Sequence, residues 1–337
     1  MSEIPSGAMR FNSDSQKLEY WNGSAWFQVH TDTPNLAQSG EVTPGARGLT
    51  GGGNAPSVTA EILFWSISSL SNGADFGDLT VARGYTGGVS SRTRAVWGGG
   101  HTPASKNEID FVTIASTGDA TDFGDLQSTR LHMAAAGNQT RGIFAGGESG
   151  PSDVNIIDYI TIAATGNSID FGDLPSAREA PAGASSSTRM IIAGGFTPSE
   201  TSNIEFVTIA TLGNSQTFGD LSRNTGGASG GSNATRGLFA GGSPPGGGNP
   251  VSDIDSVSLA SLGNGTYFGD LSVSRRYAAC ATSSTRATWC GGLNPATEDR
   301  MDYVEIATEG NAVDFGDLNN VNAGTTGSGT SNAHGGL

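Results

Sequence analysis

The chain has 337 residues and a formal charge of −15, from 17 Lys and Arg against 32 Asp and Glu. Phosphate backbones repel such a surface, which argues against nucleic acid as a partner, and no apolar run approaches the roughly 18 residues of a membrane span. Glycine stands out at 52 residues; its placement at fixed positions of a repeat argues for tight turns and close-packed strands rather than disorder.

The first residues, Met1-Ser2-Glu3-Ile4-Pro5, carry neither a basic start nor an apolar segment, so no signal peptide is expected, and residues 1–6 read as a tether. Three strands are predicted next: Ala8–Phe11, Lys17–Trp21 and Ala25–Val29. Asn22-Gly23 between the last two is a two-residue hairpin signal, because both turn positions must accept positive φ. The module spans residues 1–29 and is rich in aromatics (Phe11, Tyr20, Trp21, Trp26, Phe27), the candidate attachment residues. A meander this small is marginal alone and is expected to dock on a partner. Residues 30–45, polar with two prolines, read as a linker.

From residue 46 to 337 the chain repeats. Phe-Gly-Asp-Leu begins at Phe76, Phe123, Phe171, Phe218, Phe268 and Phe315, in steps of 47, 48, 47, 50 and 47 residues. An arginine opening a Gly-Gly strand keeps the same period at Arg47, Arg94, Arg141, Arg189, Arg236 and Arg286. Each repeat is predicted to hold four strands. The first is the arginine strand, placed here as an inner strand whose small residues allow close approach. The second is aromatic and β-branched, as in Ile109–Ala115. After a turn, usually Gly-Asn, comes a short outer segment ending in Phe-Gly-Asp-Leu. The fourth carries small residues, as in Leu131–Ala136 or Tyr277–Ala281. The fold class is therefore all-β, a six-bladed β-propeller behind a small N-terminal β-meander. The first repeat lacks a fourth-type strand before Arg47, and residues 322–332 sit where that strand belongs, so the C-terminal segment is predicted to pair with the strand at Arg47.

Few residues ask for chemistry. Asp78, Asp125, Asp173, Asp220, Asp270 and Asp317 recur identically, but symmetry spreads them around a ring, whereas metal sites gather oxygens at one point. An aspartate accepting turn NH groups is the expected role. The recurring arginines are expected to bond carbonyls or acids of the adjacent blade. His30, His101, His132 and His334 are scattered with no ligand spacing, so no metal or cofactor is predicted. Nucleophile-elbow and phosphate-loop patterns are absent, and no enzyme is expected. Cys280 and Cys290, equally spaced about Thr285, could face each other across a hairpin as small core residues or as a disulfide. The loops after Gly-Gly vary most, which makes His101, Lys106, Glu148, Phe196, Glu200 and Asn249 the candidate binding residues.

The Gly-Gly doublet, the aromatic strand, the outer Phe123 and an arginine seven residues later (Arg83, Arg130, Arg178, Arg275) resemble the layout of kelch-type propellers over residues 46–337. Two departures stand out: Phe replaces the usual outer tryptophan, and Thr225 replaces the arginine in the fourth repeat. The Phe-Gly-Asp-Leu signature resembles kelch-like proteins of phages of marine bacteria. Residues 9–26 resemble a short module at the ends of bacteriophage tail-fibre and other virion proteins. The resemblance implies a non-enzymatic virion protein, assembled in the host cytoplasm, attached to other virion proteins through the N-terminal module. Its propeller would serve assembly contacts or bind a host-surface glycan or protein. Tail fibres are usually trimers and propellers often monomers, so both states stay open. A cellular kelch-like protein-interaction scaffold, or a glycan-active propeller enzyme, are the alternatives.

Overall fold

The computed structural model describes residues 5, 7–12, 17–28, 46–54, 57–246, 248–319 and 328–337. The linker at 30–45, most of the tether and residues 322–327 of the expected closing segment lie outside them. Among the described residues there is no helix, and the chain divides into two compact units, Met1–Pro44 and Gly45–Leu337.

The N-terminal unit is a three-stranded antiparallel sheet in sequence order, β1 (Met9–Asn12), β2 (Lys17–Trp21) and β3 (Trp26–Gln28). The expected two-residue turn is instead a four-residue loop: Trp21 pairs with Trp26, and the Asn22 side-chain oxygen accepts the NH groups of Ser24 and Ala25. Asn22 satisfies its own loop through its side chain and leaves positive φ to Gly23 alone. Met9, Tyr20 and Phe27 are cross-strand partners and so share one face with Phe11. All four are exposed, from 42% for Tyr20 to 66% for Phe11. On the other face Arg10 pairs with Glu19 and lies 4.2 Å over the Trp26 ring.

The second unit contains six four-stranded antiparallel sheets in a propeller-like arrangement. Sheet one holds β4 (Arg47–Gly53), β5 (Thr59–Ser66) and β6 (Ala74–Asp78). Sheet two holds β7 (Gly87–Ser90), β8 (Arg94–Gly98), β9 (Glu108–Thr113) and β10 (Thr121–Asp125). Sheet three holds β11 (Ala134–Gly137), β12 (Arg141–Ala145), β15 (Ile156–Thr161) and β16 (Ile169–Asp173); the small ladder β13 (Glu148–Ser149) with β14 (Ser152–Asp153) sits in its loop. Sheet four is β17 (Ala182–Ser185), β18 (Arg189–Ala193), β19 (Asn203–Thr208) and β20 (Gln216–Asp220). Sheet five is β21 (Ser229–Ser232), β22 (Arg236–Ala240), β23 (Asp253–Ser258) and β24 (Thr266–Asp270). Sheet six is β25 (Ala279–Thr282), β26 (Arg286–Cys290), β29 (Arg300–Glu305) and β30 (Val313–Asp317), with a loop ladder of β27 (Leu293–Asn294) and β28 (Ala296–Thr297). The last strand, β31 (Ser328–Ser331), returns to sheet one and pairs antiparallel with β4, Ser328 opposite Gly51 and Ser331 opposite Gly48.

One placement differs from expectation. The arginine strand lies second in each sheet, and the small-residue strand is innermost: β7 adjoins β11, then β17, β21, β25 and β31 follow in turn, and β31 adjoins β7. Gly-Gly-Val-Ser, Ala-Ala-Ala-Gly and Ser-Gly-Gly-Ser are the sequences that fit where these inner strands approach one another so closely. The Gly-Gly doublets serve a different need, since a Cβ on Gly99, at φ 65°, would lie 2.4 Å from the Arg130 carbonyl.

Burial concentrates between sheets. Leu49, Ile62 and Phe76 of sheet one pack on Trp97 and Val112 of sheet two. On its other side Leu63 and Trp65 pack on Cys290, Met301 and Phe315 of sheet six. Each outer-strand phenylalanine is buried and most meet the aromatic of the neighbouring strand edge-on, as Phe123 does Phe111 at 5.8 Å. Cys280 and Cys290 are free and buried. Register explains why they do not face each other: Cys290 pairs with Ala279 and Cys280 with Trp289, one residue out of step, so the two thiols sit on opposite faces of the sheet.

The C-terminal residues make a feature the repeat gives no hint of. After β31 the chain runs past the ends of the inner strands: His334 Nε2 donates to Ser90 O (3.0 Å), and Gly335 N donates to Ser232 O (2.9 Å). Gly336 N donates to His334 Nδ1 at 3.1 Å, so both ring nitrogens are satisfied only in the neutral imidazole. Burial lowers the His334 pKa from 6.5 to about 4. The unfolded chain therefore takes up this proton first, and the stability carried by His334 is complete above pH 6.5 and falls as pH drops toward about 4. Thermal midpoints of the parent and His334→Gln, compared across that window, are expected to show a steeper acid loss in the parent; parallel curves would refute it.

Candidate functional site

The two sets of recurring residues occupy the joints between sheets. Each strand-opening arginine donates to a carbonyl just past the third strand of the following sheet: Arg47 to Ile114, Arg94 to Ile162, Arg141 to Ile209, Arg189 to Leu259, Arg236 to Ile306, and Arg286 back to Ile67. The recurring aspartates act differently from expectation. Their backbone NH, not their carboxylate, is the common partner, donating to Asp119, Asn167, Asn214, Asn264, Asn311 and Asn72 for Asp78, Asp125, Asp173, Asp220, Asp270 and Asp317 in turn. The carboxylates are exposed or half-buried, and those of Asp220 and Asp270 accept Ser202 and Ser252 hydroxyls. The Gly-Asn turns thus recur because the asparagine side chain reaches the preceding sheet.

A third set is buried completely. Arg130 donates to the Gly146 and Ile156 carbonyls at 3.0 Å and to Asp158 Oδ2 at 2.6 Å. Arg83 with Asp110, Arg178 with Glu205 and Arg275 with Asp302 repeat the pairing. Burial raises the Asp158 pKa despite Arg130, and lowers Arg130 despite Asp158, so desolvation outweighs attraction on both partners. Where Thr225 replaces the arginine, its hydroxyl donates to Gly241 O and Arg223 reaches Asp253 instead. In sheet one the position aligned with Asp110 is Leu63, fully buried in the core.

These arginines also precede a variable position beside the inner strands. Two residues beyond the four arginines come Tyr85, His132, Ala180 and Tyr277, and two beyond Thr225 comes Gly227, all at positive φ between 51° and 69°. Their backbones hydrogen-bond in sequence, each NH to the carbonyl of the preceding one. Held there, Tyr85 and His132 meet edge-on at 4.1 Å, and Tyr277 stacks on His132 at 5.2 Å from a sheet three further round. Beneath lies a cavity of about 100 Å³ lined by Thr86, Met133, Ser229, Tyr277 and the small residues of the inner strands.

The candidate loop residues divide here. Glu148 pairs through its backbone with Leu131, and Phe196 with Glu179, which brings the Glu148 and Glu179 side chains beside His132. His132 Nδ1 is 3.4 Å from Glu179 Oε2 and 3.8 Å from Glu148 Oε2. Burial, then Glu179, raises the Glu148 pKa; His132 holds Glu179 below the usual range; burial, then Glu179, raises Asp153. Burial pushes the Tyr277 hydroxyl up to about 12. Phe196 lies against Gly226, where a Cβ would come within 2.3 Å of its ring, and Glu200 is buried. His101 and Lys106 belong to the sheet-two loop, and Asn249 is exposed. In the sequence His132 has no ligand partner at a regular spacing, and no motif marks Tyr85, Tyr277 or Glu179. The available signal was the variable position two residues after a repeated arginine.

No family model matches the chain, and no curated protein matches it.

Proposed function

We propose that the chain is a closed six-bladed, kelch-like β-propeller acting as a non-enzymatic bacteriophage virion protein. Residues 1–29 attach it to other virion proteins, and residues 46–337 present a rigid face for assembly contacts or for a host-surface glycan or protein. Support for closure comes from two joints between sheets six and one, Arg286 to Ile67 and Asp317 to Asn72, and from β31, which follows sheet six in the chain and pairs with β4 of sheet one. The observation that carries the attachment role is the N-terminal sheet, which exposes Met9, Phe11, Tyr20 and Phe27 on one face. A sheet this small has little core of its own, and covering such an apolar face against a partner stabilises it. Protein mass spectrometry of purified particles is expected to find this chain among the structural proteins, and Phe11→Ser with Phe27→Ser to remove it from particles while the soluble chain keeps its melting temperature. Particles lacking the parent chain, or retaining the double variant, would overturn the reading.

A further inference from the structure

We propose that His132, Glu148 and Glu179 form a binding site for one divalent borderline cation of the Zn²⁺ type, at the axial mouth of the propeller-like unit. One ligand atom from each residue lies within 4.8 Å of the others. Ligand bonds of about 2.0–2.2 Å separate neighbouring ligand atoms of a tetrahedral ion by roughly 3.3–3.6 Å. The imidazole-to-carboxylate distances of 3.4 and 3.8 Å already stand close to that spacing.

A second observation points the same way. Both ring nitrogens of His132 are buried; Nδ1 faces the two carboxylates without forming a well-aligned hydrogen bond, and among the described residues Nε2 has no hydrogen-bond partner. Such atoms are costly unless something accepts or donates to them. The two glutamates crowd each other, and among the described residues their ion pairs are to His132 alone, with no lysine or arginine between them. One divalent ion satisfies the imidazole and both carboxylates at once. Three protein ligands leave a fourth position open, the arrangement of an ion that binds a further group or water. Imidazole with carboxylates favours Zn²⁺ over the all-oxygen ions Ca²⁺ and Mg²⁺.

The ring is also held for the purpose. His132 sits at φ 54° in the chain of backbone bonds, and Tyr85 and Tyr277 clamp the imidazole from two sides. A ligand fixed before binding loses little freedom on binding. The net charge of −15 raises local cation concentration.

Isothermal titration of the purified full chain with Zn²⁺ is the test. It is expected to give one ion per chain, undisplaced by equimolar Ca²⁺ or Mg²⁺. His132→Asn, which keeps a residue tolerant of positive φ, and Glu179→Gln are each expected to weaken binding at least about tenfold, with His101→Asn unchanged. Absence of saturable binding, full affinity in either variant, or equal competition by Ca²⁺ would overturn the proposal. X-ray absorption of the zinc-loaded parent needs no variant: one imidazole with oxygen ligands is expected, and a shell without imidazole would overturn it.

Discussion

Ending the chain after Leu318 is expected to cost on the order of 5 kcal/mol of stability and to make the chain associate through the edge it exposes. That truncation removes β31, whose Thr330 hydroxyl meets Ser90 at 2.6 Å and whose Ser331 hydroxyl donates to Thr282 O at 2.5 Å. Through them one strand ties β7 of sheet two to β25 of sheet six while pairing with β4. Its loss leaves β4 with an open edge, and hydrogen bonds lost from buried strands are worth about 1 kcal/mol each before packing is counted. Thermal melting with size-exclusion chromatography checks this, and a peptide of residues 319–337 added in trans should restore part of the midpoint. A truncated chain that melts with the parent would show that the closing strand carries no stability.

The second large effect concerns the buried ion pair. Arg130→Met is expected to lower unfolding free energy by about 3–5 kcal/mol, because Asp158 is left charged and fully buried without its partner. Adding Asp158→Leu in the same chain should recover most of that loss. Sheet one already shows the apolar solution, with Leu63 at the equivalent place. Sheet five shows a polar one, in which Ser222 donates to Asp255 twice and no repeat arginine is present. Urea unfolding of the parent, single and double variants measures the coupling. A single variant costing under about 1 kcal/mol, or a double variant no better than the single, would mean that the pair is not what the site requires.

Residues with a fixed job at every joint were legible in the sequence. Arg94 and its five counterparts recur because each must reach a carbonyl in the next sheet, and Phe123 recurs because each layer needs the same wedge. The pairing of the C-terminal strand with the Arg47 strand was legible too, because the first repeat lacks that strand, but the order of strands within a sheet and the local register were not. Small residues fill both the innermost and the second strand, so their spacing does not say which lies nearer the axis. Symmetric spacing about Thr285 put Cys280 opposite Cys290, and a one-residue shift in pairing sends them to separate layers. Asn22 fits a tight turn as well as the longer loop that its side chain closes. His132, Glu148 and Glu179 stand 16 and 31 residues apart in sequence, and only the backbone pairing of Leu131 with Glu148 and of Phe196 with Glu179 makes them neighbours. The run past Ser331 has no counterpart among the repeats, so nothing in their spacing could announce it.

A propeller requires that the repeats return upon themselves. A crystal structure of the full chain measures this directly. Six sheets around one axis are expected, with Ser328–Ser331 lying beside Arg47–Gly53 and Arg286 reaching Ile67. A different number of sheets, an open stack, or a C-terminal strand paired elsewhere would contradict it.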